Sequence, residues 1–148
     1  MGHGVRLGYY AQEHEGIEDT VTVLDHLKAG SPSDDRSLRT LLGMFGLSGE
    51  IAFQEAGTLS GGEKTKLALA QLVAGRYNLL LLDEPTNNLD PPSRTAIAEA
   101  LQAWPGTMII VSHDTGFVQA LEPERILLMP DGELGYWSED LLDLVALA

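Results

Sequence analysis

The chain has 148 residues, enough for one domain and too few for two large ones. Asp plus Glu number 22 against 9 Lys plus Arg, a formal net charge of −13. A surface that acidic repels phosphate backbones, so direct nucleic-acid binding by this segment is disfavoured. The absence of cysteine excludes a disulfide framework, a thiol nucleophile and a thiolate metal site, and no apolar run approaches the ~20 residues that cross a bilayer.

In chain order, Met1-Gly2-His3-Gly4 lacks the basic and apolar regions of a signal peptide, so a cytoplasmic location is expected. Residues 5–10 (VRLGYY) read as a short strand leading to Gln12. Asp19 or Thr20 is expected to cap a helix through Lys28, closed by Gly30-Ser31-Pro32. A second helix starts near Ser33, with Leu38, Leu41, Leu42 and Phe45 as its apolar stripe and Gly46 as its stop. A third runs from Ser60 to about Ala74.

The character then changes. Residues 79–82 (LLLL), 108–111 (MIIV) and 126–129 (ILLM) are short apolar runs, and a helix from Ser93 to about Ala103, opened by Pro91-Pro92, lies between the first two. Apolar strands alternating with helices predict βαβ units in a parallel sheet buried on both faces. Asp131-Gly132 reads as a hairpin turn into 133–137, and 141–147 as a terminal helix. The expected organisation is a strand with a glutamine loop over 1–16, a helical portion over 17–75, and an α/β core over 76–148. The charge follows that division: residues 1–76 carry 7 basic and 10 acidic side chains, residues 77–148 carry 2 and 12.

Ligands of open parallel sheets sit at the carboxyl ends of the strands, which directs attention to Asp83-Glu84 and Ser112-His113. A carboxylate at a strand tip can hold Mg²⁺, and a second one beside it can act as general base; the bland alternative is a solvated turn. Ser60 with Glu63 has capping-box spacing, but that does not explain Gly61 and Gly62, which cost about 1 kcal/mol each in a helical turn. Glycines there leave backbone N–H groups bare, so an anion can approach the positive end of the helix. Lys64 and Lys66 add nearby positive charge, although a lysine-bearing helix face is usually just solvated. His3, His14 and His26 have no setting that suggests a role, and Trp104 and Trp137 read as packing residues.

Taken in order, LSGGE (59–63), LLLLDEP (79–85), NNLD (87–90) and SHD (112–114) resemble the signature, Walker B, D-loop and switch-histidine motifs of an ATP-binding-cassette (ABC) ATPase. The longer strings LSGGEKTKLALA and DEPTNNLD, and SHD with Phe117, resemble the soluble ABC-F class, and the tail resembles the end of that class's second cassette. The resemblance implies a P-loop NTPase-like α/β nucleotide-binding domain with ATP and Mg²⁺ as cofactors. It also implies ATP hydrolysis between two cassettes, so that the partner is a second cassette, and a ribosome-associated, translation-related parent.

By the same resemblance, Gln12 assists Mg²⁺ and the attacking water, and Ser60, Gly61, Gly62 and Glu63 form the signature that contacts an ATP held by the opposite cassette. Asp83 is the magnesium carboxylate, Glu84 the catalytic base, Asp90 the D-loop aspartate and His113 the switch histidine. One departure stands out: no Gly-Lys dipeptide occurs, so the phosphate-binding loop G-x-x-x-x-G-K-[ST] is absent. The chain is therefore expected to be an incomplete cassette, inactive alone, that exposes apolar surface on the LLLL and MIIV strands. The alternatives are a non-enzymatic module lending its signature face to another cassette, or a transporter or SMC-like DNA-repair ATPase.

Overall fold

The computed structural model describes residues 2–11 and 16–147; Gln12 and His14 lie outside the described residues. Three strands, β1 (Leu7–Tyr10), β2 (Leu79–Asp83) and β3 (Thr107–Val111), form one parallel sheet in that order. The connection from β1 to β2 carries helices α1 (Val23–Gly30), α2 (Asp35–Met44) and α3 (Gly61–Ala74), and that from β2 to β3 carries α4 (Pro91–Gln102). Beyond β3 come α5 (Thr115–Leu121), an antiparallel hairpin of β4 (Arg125–Leu128) and β5 (Glu133–Tyr136), and α6 (Leu142–Leu147).

The helices begin where short polar side chains satisfy their first amides. Thr22, Asp34, Ser60, Asp90 and Asp114 each accept a hydrogen bond from the backbone N–H three residues on. The first helix starts later than the sequence suggests, with Thr22 rather than Asp19 or Thr20 as its cap. Asp19 and Thr20 instead lie in a turn closed by the Val21 amide on the Glu18 carbonyl at 3.2 Å, and the carbonyls of Asp19 and Val21 accept the amides of Gly57 and Ala56. At Gly57 the backbone runs so close to Asp19 that a Cβ would stand 2.8 Å from the aspartate's own. The pair Pro91-Pro92 opens α4 where no intrahelical N–H is lost.

The register puts Gly8, Tyr10, Leu80, Leu82, Met108 and Ile110 on one face of the sheet. There Leu80 and Leu82 are fully buried in one continuous core with Leu67 and Leu69 of α3, Ile97 and Leu101 of α4, and Phe117 of α5. The other face is uncovered. Tyr9, Ile109 and Val111 are each more than half exposed and Leu7 is 37% exposed, so the expectation of a sheet buried on both faces is corrected. The open surface lies on β1 and β3 more than on the four-leucine strand, because β2 is central and its neighbours shield Leu79 and Leu81 from both sides.

The run at 126–129 is a second correction. It does not extend the parallel sheet but pairs with β5 in a separate two-stranded ribbon. Gly132, at φ 73°, makes the turn expected of Asp131-Gly132, its N–H donating to the Leu128 carbonyl at 2.8 Å. His26 proves to be a packing residue. It is buried, with Nε2 3.0 Å from the Glu18 carbonyl and Nδ1 3.2 Å from Nε2 of Gln71. Trp104 packs against the core as expected. Among the described residues no helix is long and apolar enough to cross a membrane.

Candidate functional site

Parallel pairing brings the carboxyl ends of β2 and β3 side by side, with Asp83 opposite Val111. The Glu84 N–H donates to the Val111 carbonyl at 2.8 Å, which carries the ladder one residue past the strand. At that point the chain turns sharply. Glu84 adopts φ 48°, a left-handed conformation that costs a non-glycine residue about 1–2 kcal/mol. The turn drives the Glu84 side chain into the protein, where only 8% of it remains exposed. A buried carboxylate needs a partner, and His113 at the end of β3 supplies one: its Nδ1 lies 2.6 Å from Oε1 of Glu84. The imidazole is itself largely exposed, so its remaining edge is open to a ligand. Strain of this kind persists where the surrounding structure over-determines it, and it concentrates at functional sites.

A second set of contacts surrounds this pair. Asp114 caps α5 through Oδ1, which accepts the Phe117 amide at 3.0 Å. Its Oδ2 accepts the hydroxyl of the buried Thr86 at 3.2 Å and meets Nη1 of Arg94 at 3.0 Å. Arg94 also donates from Nε to the Leu89 carbonyl at 2.9 Å. Sequence reasoning placed Asp114 inside a motif but gave it no role, and it passed over Thr86 and Arg94. The one local signal was a short polar residue positioned to cap the next helix.

At the start of α3 the expected capping box is present. Ser60 Oγ accepts the Glu63 amide at 3.2 Å and Glu63 Oε1 accepts the Ser60 amide at 2.9 Å. The amides of Gly61 and Gly62 remain without an intrahelical acceptor. Nothing lies within 4 Å of a Cβ built on Gly61, whereas one on Gly62 would meet the Asn88 carbonyl oxygen at 3.1 Å. Gly62 is thus the point where α3 passes against residues 87–90. Asp90 caps α4 and accepts the Ser93 amide at 2.9 Å; its hydrogen bonds to Ser93 hold its carboxyl below the usual range. Lys64 pairs with Asp19 at 3.6 Å, which makes it a surface ion pair.

The structure therefore brings Asp83, Glu84 and His113 to one strand tip. It sets Ser60, Gly61, Gly62 and Glu63 at a helix start that touches the loop leading to Asp90. Gln12 falls outside the described residues. No group of three or more His, Asp or Glu among the described residues could cage a metal ion.

In a comparison with protein families, residues 3–87 match the family described as ABC transporter. YdiF of Bacillus subtilis (strain 168), whose name describes it as ATP-binding, is 42% identical over 145 residues, covering 93% of this chain and 23% of that protein. ATP-binding cassette sub-family F member 3 of Mus musculus is 37% identical over 117 residues, covering 78% of this chain and 16% of that protein. The chain spans less than a quarter of the length of these curated relatives. Among solved structures, the dimeric MJ0796, a bacterial ABC transporter cassette, aligns with a TM-score of 0.73 at 23% identity over 89% of this chain and 63% of that one. The archaeal ribosome recycling factor aABCE1, in complex with the ribosomal stalk protein aP1, aligns with a TM-score of 0.71 at 22% identity over 90% and 27%. At these identities the solved structures speak for the fold alone.

Proposed function

The chain belongs to the ABC transporter family, and from that premise we propose that it is part of a soluble ABC-F type ATPase that converts ATP and water to ADP and phosphate. The observation that carries this reading is the buried Glu84 held 2.6 Å from His113 at the tip of a parallel sheet. Glu84 accepts a proton from the water that attacks the γ-phosphorus, and His113 fixes the orientation of the carboxylate that does so. Catalysis is otherwise positional and electrostatic.

Mg²⁺ is commonly held by one or two carboxylates together with phosphate oxygens and water. Asp83, a hard oxygen donor one residue before the base, suits that arrangement. Bound there, the ion would neutralise charge on the phosphates; Gln12 is the further candidate ligand.

One feature points to a second cassette as partner: the amides of Gly61 and Gly62 have no intrahelical acceptor at the start of α3, where a phosphate brought by another cassette can reach them. No Gly-Lys dipeptide occurs in these residues, and the loop and lysine that cradle the β and γ phosphates belong to another part of this same cassette. A translation-related role in the cytoplasm, with ribosome contact through other parts of the protein, rests on the resemblance of residues 59–63, 79–90 and 112–114 to the ABC-F class.

The test is Mg²⁺-dependent ATP turnover by the protein at the length the cell makes it. Glu84→Gln is expected to lower kcat by at least ~10²-fold, and the 148 residues purified alone are expected to show no turnover above background. Turnover indifferent to Glu84→Gln would overturn the reading.

A further inference from the structure

Asp114 has more partners than a helix cap requires. One oxygen caps α5. The other is shared between the Thr86 hydroxyl and Nη1 of Arg94, and Arg94 passes the connection on to the Leu89 carbonyl through Nε. Thr86 lies two residues after Glu84 and Asp114 follows His113, so these contacts bracket the Glu84–His113 pair from both strands. Their far end grips the backbone next to Asp90, in the loop that Gly62 of α3 touches through Asn88. Thr86 is 2% exposed and the Asp114 side chain 18%, while the Arg94 side chain is 38% exposed, so the pair is partly shielded from water on its carboxylate side.

We infer that Asp114 and Arg94 are positioning residues: the clasp Thr86–Asp114–Arg94–Leu89 fixes the geometry of Glu84 and His113 and ties it to the 87–90 loop. An ATP-bearing cassette that engages that loop thereby acts on the pair. The inference rests on the ATPase reading above. It needs an arginine specifically, because one planar guanidinium serves both the Leu89 carbonyl and the Asp114 carboxylate, whereas a lysine ammonium on a flexible stem keeps the charge and loses that fork.

The test uses the protein at its natural length. Arg94→Lys preserves the charge, and Asp114→Asn preserves the capping oxygen while removing the charge. Each is expected to lower kcat about tenfold while leaving KM for ATP within about twofold, and the double variant is expected to fall no further than either single. A purely structural ion pair predicts instead that Arg94→Lys matches the parent, and that result overturns the clasp, as does a double variant whose losses multiply. Amide hydrogen exchange on the same samples separates this inference from the ATPase reading. Arg94→Lys should speed exchange in both 84–90 and 112–117. If the unmodified protein hydrolyses no ATP, the ATPase reading falls, and exchange alone decides the clasp: a joint rise supports it, and a rise confined to 87–90 refutes it.

Discussion

At the tip of β2 a carboxylate is buried in left-handed backbone against a histidine, whereas at the first turn of α3 Ser60 and Gly61 are exposed and Gly62 is half-buried against the Asn88 carbonyl, within a local capping box. Both places are assigned to the same nucleotide chemistry, yet they are built in opposite ways. The tip is set by the protein's own core, and its strain is carried by the fully buried leucines of β2 beneath it. The turn of α3 presents amides without an intrahelical acceptor, and under the proposed function another cassette brings the phosphate to them. The difference teaches where each site draws its rigidity: the tip from the core, the turn from its own capping box.

That contrast is most open to attack through the core. Leu82 is fully buried directly before Asp83, and Leu82→Ala should cost about 2–5 kcal/mol of stability from lost burial and the cavity left behind. On the uncovered face of the same sheet Ile109 is 55% exposed, and Ile109→Ala should stay within about 0.5 kcal/mol. Urea unfolding of the two variants measures this. Equal losses would mean that the open face is covered in solution and that the two faces are not distinct.

The turn of α3 is tested next. Ser60→Ala removes the side-chain oxygen that accepts the Glu63 amide and should cost about 1 kcal/mol, read as a lower thermal midpoint. It should leave the Glu84–His113 contact intact, which a histidine-labelled NMR sample can report. Movement of the His113 ring resonance in Ser60→Ala would show that the two sites are not built independently.

Much of this was legible in the sequence, and the limits have physical reasons. The strings at 59–63, 79–85 and 112–114 sit where expected, at a helix start and two strand ends, because caps and strand tips are set by neighbouring residues. What escaped was non-local. Arg94 and Thr86 reach Asp114 across 20 and 28 residues of chain, and no periodicity records such a pairing. The helix α5 was passed over although Asp114 caps it, since Gly116 in a seven-residue stretch weakens the helical pattern. The one-sided burial of the sheet was also hidden, because an apolar run reads the same whether one face is covered or both.

A smaller effect concerns acid. Hydrogen bonds from Ser93 to the ionised Asp90 hold its carboxyl below the ordinary value. A depressed carboxylate adds stability that is present above its unfolded value and is lost as pH falls through the folded one. Asp90→Asn keeps a capping oxygen and removes the titration, so it should flatten that part of the acid-induced drop in thermal midpoint below the ordinary carboxylate range. An unchanged acid profile would show that Asp90 does not contribute to it.

The smallest stability effect belongs to Gly61→Ala, and it separates function from fold most cleanly. A Cβ at Gly61 meets nothing within 4 Å, and alanine is favoured over glycine in helices by up to about 1 kcal/mol. The thermal midpoint should therefore hold or rise slightly. A methyl group there nonetheless stands where an incoming phosphate must approach the Gly61 and Gly62 amides, so ATP turnover by the natural-length protein should fall while folding does not. Gly62→Ala lacks this separation, because its Cβ would press on the Asn88 carbonyl at 3.1 Å and disturb the 87–90 loop as well. Full turnover in Gly61→Ala would mean that the open turn of α3 is merely a capped helix end, and the contrast with the strained tip of β2 would lose its functional meaning.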